Sequence, residues 1–471
     1  MSKTAALWNA TQAAQATGGE ARGEWCADGI SIDSRALSPG DLFVALKGSN
    51  HDGHDHVGAA ISAQAAAAIV ERVPDNLTAP LLIVPNTLQG LVALARAARA
   101  RSQARIIAVT GSVGKTGTKD MIAQALATSG KVTFSAGNLN NHIGAPLSLA
   151  RLTEDSSFGV FELGMNHAGE IAPLSRLLRP HVVLVTNVEA VHMEFFPDVS
   201  NIAEAKAEIF NGVESGAIAV LNHDNAHFEL LCERARKAGI SRIITFGHGE
   251  DCDARLLAHS PSEEGSEIEA DIDGTRLSYR IGLSGAHWAL NSVAALAVVH
   301  AVGAPIIAAS KALAAQTALP GRGARFQLGL SNGSYTVIDE SYNASPVAVA
   351  AAISNLRNTE PGPGGRRIAV LGDMLELGKS SPIAHAALAN DLTAANIDLV
   401  FTAGPLMAHL FAALPETLQG GQAKNSTELL PLIVAAVKPG DVVLVKGSLG
   451  LKMRLLVDGL KQAGDAAGSN G

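Results

Sequence analysis

The stretch RIIAVTGSVGKTGTKDMIAQAL, residues 105–126, decides how the rest of the chain is read. Residues 106–109 form a short apolar run of the kind that makes a buried strand, and 121–126 read as one face of a helix. Between them lies TGSVGKTGT. A strand, a glycine-rich turn and a Lys-Thr pair opening a helix make a phosphate-binding loop. Glycines let backbone N–H groups approach phosphate oxygens, and the helix N-terminus adds partial positive charge. Gly111, Ser112, Gly114, Lys115, Thr116 and Gly117 are the expected nucleotide cradle. Lys115 would reach the terminal phosphates and the Thr116 hydroxyl would bind Mg²⁺. The loop is a short variant, because Val109 stands where the general pattern has its first glycine.

Working outward, apolar runs recur between helical segments: FGVFELG (158–164), HVVLVTNV (181–188), AIAVLNHD (217–224) and RIITFG (242–247). Near-continuous Val/Ile/Leu runs alternating with helices predict a parallel sheet covered on both faces. Residues 252–283 change character, and ARLLAHS, SEIEADI and TRLSYRIGL read as shorter antiparallel strands on an edge. A helix is expected from 286 to about 302, and another to 319. LPGRG at 319–323 reads as a hinge. Upstream, DLFVAL, AAAAIV and LLIVP alternate with Ala-rich helical stretches. Downstream, YTVIDE, RRIAVLG, IDLVFTAG and DVVLVKG again alternate with helices. The expected organisation is α/β throughout, in three domains. A small N-terminal domain spans 1–103, a central mostly parallel phosphate-loop domain 104–319, and a C-terminal Rossmann-like domain 320–471. The tail AGDAAGSNG reads as disordered.

The 471 residues carry a formal net charge of −8 with no clustered basic stretch, which argues against a nucleic-acid partner. Three cysteines without metal-ligand spacing suit reduced thiols in the cytosol. The opening MSKTAALWNATQAAQ has no apolar signal core, and no run approaches a membrane-spanning length, so a cytoplasmic protein without membrane insertion is expected. Nothing demands more than a monomer.

A phosphate loop needs a carboxylate to hold Mg²⁺. Glu162 ends the buried run FGVFELG, at the strand end where ligands of parallel sheets bind. In TNVEAVHMEFFPDVSNIAEAKAEIF, residue type alone makes His192 a loop histidine and Lys206 a surface helix lysine. Asn138, Asn140, Asn141 and His142 in GNLNNHIG could bind sugar or peptide groups, or could equally be turn residues. HDGHDH, with His51, His54 and His56, fits no zinc template and reads as loop structure.

The series DSRALSPGDLFVALKGSNHDGHDH, TGSVGKTGTKD, GNLNNHIGAPLSLARL, FELGMNHAGEI, TNVEAVHMEFF, IAEAKAEIF, DESYNASP, LGDMLELG and VKGS resembles, in order and over nearly the whole length, the Mur ligase family. These are ATP-dependent amide-forming enzymes of peptidoglycan precursor synthesis. The resemblance is strongest to the member that joins D-alanyl-D-alanine to UDP-N-acetylmuramoyl-tripeptide. It implies ATP, two Mg²⁺ sites and an acyl phosphate intermediate. It implies that Lys206 is carbamylated, becoming an anion that supports the second Mg²⁺, with His192 on the same metal and Thr116 and Glu162 around the phosphates. Lys115, Lys206 and His192 are then the catalytic set. Carbamylation requires the acidic neighbours of Lys206, such as Glu204, to face away. The resemblance further implies that Asn291 of GAHWALN reaches adenine, with Trp288 in place of an earlier Asn. Arg322 would reach the phosphates, and Asp339 the ribose. Ser34 and Arg35 are expected at the uridine nucleotide, and Tyr342 and Asn343, with Ser345, near the peptide or dipeptide. Two rival readings are a folylpolyglutamate synthetase-like ligase and a nucleotide switch that ligates nothing.

Overall fold

The computed structural model describes residues 6–48, 51–75, 77–262 and 265–468. Three larger sheets follow one another along the chain. The first has five strands between Glu20 and Ile83, all parallel except Glu20–Arg22. The second has nine, and strand Arg105–Thr110 lies inside it between Val182–Val185 and Phe158–Glu162. The third has six, of which only Ala324–Leu330 runs antiparallel to its neighbour.

Strand Arg105–Thr110 shows why the parallel runs are apolar without alternation. Ile106 and Ala108 join one core cluster, Ile107 and Val109 the cluster on the opposite face. Both faces are covered, so both sets of side chains leave water. One cover is helix Ala286–Ala301, buried along most of its length from Trp288 to Val299. It packs against helix Lys115–Leu126 at Gly117. A Cβ there would lie 2.1 Å from the Trp288 ring. Gly117→Ala is therefore expected to cost about 1–3 kcal/mol, the usual price of overpacking. Urea unfolding checks this, and an unchanged midpoint would mean that the indole can swing aside.

The residues expected as short edge strands are instead the longest of this sheet. Ala254–Ser262, Gly265–Ile272 and Thr275–Ile281 form an antiparallel extension, joined in parallel to Arg242–Gly247. A meander with one open face keeps the alternating pattern that lets strands grow, here visible as Ile268, Ala270 and Ile272 facing inward. The following helix Ile306–Ala312 stops well before 319, and a short 3₁₀ turn Leu313–Ala315 ends it. The C-terminal tail, expected to be disordered, continues helix Arg454–Gly468 through 463–468; residues 469–471 lie outside the described residues.

The N-terminal residues, the short pair Trp8–Asn9 with Cys26–Ala27 and the first sheet, are anchored on the elements around the second sheet. Trp8 Nε1 donates to the Ala150 carbonyl at 3.0 Å, and Arg101 stacks over the Trp8 ring at 4.0 Å. Arg151 donates to the Ile30 carbonyl. A single apolar cluster runs from Trp8 and Leu42 through Leu94 to Leu147 and Val183.

Candidate active site

The loop after strand Arg105–Thr110 has two glycines in the left-handed region, Gly111 at φ +146 and Gly114 at φ +86. A Cβ on Gly111 would collide with Thr186 Oγ1 at 1.9 Å, and one on Gly114 would press on the Asn291 amide at 3.0 Å. Both positions thus require glycine on two counts. Gly114 precedes helix Lys115–Leu126 and offers no side-chain cap, so the first-turn N–H groups stay available to an anion. Lys115 Nζ is folded back on the loop, 2.8 Å from the Gly111 carbonyl. Ser112 ties the loop to the next one, its Oγ donating to Glu189 O and accepting from Glu189 N.

Glu162 is buried at its strand end. Its two oxygens accept from Thr116 Oγ1 at 2.8 Å and Asn140 Nδ2 at 2.7 Å. Asn140 is thus brought to the phosphate loop. Asn141 Oδ1 accepts from Ile143 N and Gly144 N, in the turn that leads into helix Gly144–Ala150. Asn138 and His142 are exposed, and His142 opens onto a cavity of about 570 Å³ also lined by Arg96, Arg176 and Arg179.

Lys206 is 2% exposed, in the last turn of helix Val199–Ala207. The helix presents it inward because its acidic neighbours are engaged elsewhere. Glu204 forms a bidentate pair with Arg234. Glu208 caps helix Ile171–Leu178, accepting from Gly169, Ile171 and Ala172 N–H groups. Burial, and then the charge of Lys115, push the Lys206 amine well below its ordinary value. No carboxylate among the described residues pairs with it.

His192 sits at φ +56, and its Nδ1 hydrogen-bonds the Glu376 carboxylate. Glu376 is itself at φ +62, and its carbonyl accepts from Glu194 N at 3.0 Å. Burial holds the imidazole below its usual value, against the pull of Glu376. Two non-glycine residues in this region mark a contact the surroundings over-determine. Sequence reasoning quoted LGDMLELG but missed Glu376 as a partner, since 184 residues separate the pair.

Arg322 stacks on the Tyr342 ring at 4.0 Å, close enough for its charge to act on Lys115 and Asp120. Asp339 is fully buried and accepts from Gly321 N, Ser341 N and Ser341 Oγ, with Arg454 at 3.3 Å. It braces the segment that carries Arg322. Asn343 accepts from Ala344 N, and its carbonyl accepts from buried Lys446. Ser345 caps helix Pro346–Arg357. Arg35 is exposed and bidentate to Asp33, whose carboxyl it holds down at about 2; Ser34 lies beside it, half-buried. His54 of HDGHDH is buried between Asp52 and Glu71 N, a loop role rather than a metal one.

A phosphate loop, a buried carboxylate on its threonine and a buried lysine with no carboxylate partner among the described residues define a nucleotide-dependent enzyme. Three stretches match family descriptions: Mur ligase family, catalytic domain (27–105), Mur ligase middle domain (109–299) and Mur ligase, glutamate ligase domain (324–449). The chain belongs to the Mur ligase family, and it is a ligase. It is 32% identical over 453 residues to the UDP-N-acetylmuramoyl-tripeptide--D-alanyl-D-alanine ligase of Rickettsia prowazekii, covering 96% of this chain and 99% of that one. Among solved structures it superposes on MurF from Acinetobacter baumannii with a TM-score of 0.83 at 29% identity, covering 97% of this chain and 99% of that one. With MurF of Thermotoga maritima, solved in complex with ADP, the TM-score is 0.75 at 27% identity, over 93% of this chain and 98% of the other. No helix among the described residues is long and apolar enough to cross a membrane.

Proposed function

We propose that this enzyme joins D-alanyl-D-alanine to the free carboxylate of UDP-N-acetylmuramoyl-tripeptide, at the expense of ATP, in peptidoglycan precursor synthesis. The observation that carries the reading is the facing set of Lys115, Thr116 with Glu162, and buried Lys206, reached from the third sheet by Arg322 and Glu376. We divide the chain at 104 and 320, into domains for the UDP moiety, ATP and closure. Three free cysteines suit the reducing cytoplasm.

The donor set fits Mg²⁺. A hydroxyl and a buried carboxylate oxygen already face each other at Thr116 and Glu162, and His192 lies close enough to Lys115 and Lys206 for their charges to act on it. Bound Mg²⁺ would neutralise charge on the phosphate oxygens. A neutral Lys206 amine can add to CO₂, forming an N–C bond and releasing one proton, and the carbamate then supplies the missing anion. Burial favours that neutral amine.

The peptide carboxylate is a poor electrophile. It attacks the γ-phosphorus of ATP, and ADP leaves. Lys115 and Arg322 stabilise the transferring phosphoryl group. The dipeptide amine attacks the acyl carbon, the tetrahedral adduct collapses, and phosphate leaves with one oxygen of the original carboxylate. Closure of the third sheet over the loop excludes water that would hydrolyse the acyl phosphate. Tripeptide labelled with ¹⁸O in its terminal carboxylate tests this step. With both carboxylate oxygens labelled, one label is expected in each phosphate released; unlabelled phosphate would rule the acyl phosphate out.

Glu376 orients His192 by accepting from Nδ1–H, which leaves Nε2 for the metal. Glu376→Ala is expected to weaken Mn²⁺ binding, read by paramagnetic relaxation, by about 10–100-fold. Unchanged binding would make the pair a docking contact alone.

A further inference from the structure

The loops after strands Ile218–Asn222 and Arg242–Gly247 converge on the same sheet edge as the phosphate loop, with strand Val182–Val185 standing between. There His223, Asp224 and Cys252 each offer one ligand atom, and these atoms lie within 4.8 Å of one another. Each residue is held by a separate contact. The His223 ring leans on Phe228, with centroids 4.8 Å apart. Asp224 Oδ2 is bound by the His248 backbone N at 2.9 Å and by its Nδ1 at 2.8 Å. Cys252 precedes Asp253, whose carboxylate takes the Thr245 N–H and hydroxyl, each at 2.8 Å. Two glycines keep the space open. A Cβ on Gly247 would lie 2.7 Å from the Asp224 carboxylate. One on Gly249 would lie 3.6 Å from His223 Nδ1 and 3.7 Å from Cys252 Sγ, so these two atoms face one volume.

We infer that His223, Asp224 and Cys252 form a second metal site, for Zn²⁺ or a divalent ion of similar softness, with a fourth position left to water. Imidazole nitrogen, carboxylate oxygen and thiolate suit that ion and disfavour Mg²⁺. His248 is the outer contact that orients the carboxylate. Binding forms the sulfur–metal bond and releases the thiol proton to solvent. The site would stiffen a wall of the catalytic cleft. Asn222 Nδ2 donates to the Thr186 carbonyl and Asn225 Nδ2 to the Val188 carbonyl, tying this loop to the segment that leads to His192.

The test uses the full chain, stripped with a chelator and kept in excess Mg²⁺ so that the phosphate site is filled. Zn²⁺ is titrated against a chromophoric chelator, and Co²⁺ serves as the spectroscopic probe. One Zn²⁺ per chain, one proton released and a thiolate-to-Co²⁺ charge-transfer band are expected. Cys252→Ser should abolish the band and weaken Zn²⁺ by about 100-fold or more, beyond the loss of an outer contact. His223→Gln should weaken Zn²⁺ independently and shift the band, which covers the case of a misfolded serine variant. Cys26→Ser, at an exposed thiol, should change neither. A wild type without the band, or a band that survives Cys252→Ser, overturns the assignment. So does Zn²⁺ binding lost only in Glu162→Gln, which would mean adventitious occupancy of the phosphate site.

Discussion

Lys206→Met lowers ligase turnover by about 10²–10³-fold, the effect of removing one group that stabilises charge at a reacting centre. Lys206 is a buried amine that no carboxylate among the described residues neutralises, beside a second lysine that repels its charge. Such a group is costly as an ammonium and useful as a carbamate. The wild type should therefore lose activity in CO₂-depleted buffer and regain it with bicarbonate, while the methionine variant responds to neither. Stability should move the other way. Methionine fills the space of the lysine stem without a desolvated amine beside the charge of Lys115, and a gain in stability is expected. The sign with pH follows. The folded pKa is lowered, so the unfolded chain binds more protons on this group up to about its ordinary 10.5. Wild-type stability gains from this group as pH rises through that window, and the methionine variant lacks the gain. Urea midpoints across pH check both. A less stable Lys206→Met enzyme with normal turnover would make the lysine structural.

Glu162→Gln should cost about 10³-fold in turnover and raise the Mg²⁺ concentration needed for half-maximal rate. The amide keeps the shape and can still accept from Thr116, so the fold is expected to survive. The negative charge that would face the metal is lost. The contrast with Thr116→Ser, which keeps the hydroxyl, separates charge from geometry. If Glu162→Gln showed the same Mg²⁺ dependence as the wild type, the carboxylate would serve only to seat Thr116 and Asn140.

The α/β character was readable because strands buried on both faces, such as Arg105–Thr110, must be apolar throughout. The phosphate loop was readable because its glycines, lysine and threonine are local in sequence. Lys206 was not readable from residue type. Glu204 and Glu208 beside it suggested a solvated face, and only packing shows that Arg234 takes one and a helix N-terminus the other. The motif suggests that Asp339 ends its strand, but the strand runs Gly333–Glu340, and the Asp339 carboxylate turns inward to hold Gly321 and Ser341. Glu376 meets His192 across the gap between two sheets, and no local pattern encodes such a contact. The tail helix likewise depends on packing: Leu456, Val457 and Leu460 bury against the last sheet.

The central claim is amide ligation coupled to ATP. Phosphate release from Mg·ATP, with UDP-N-acetylmuramoyl-tripeptide and D-alanyl-D-alanine added separately and together, tests it most directly. The account predicts release that needs both substrates, with one amide formed for each ATP consumed. Release indifferent to either would contradict it and leave TGSVGKT as a bare nucleotide site.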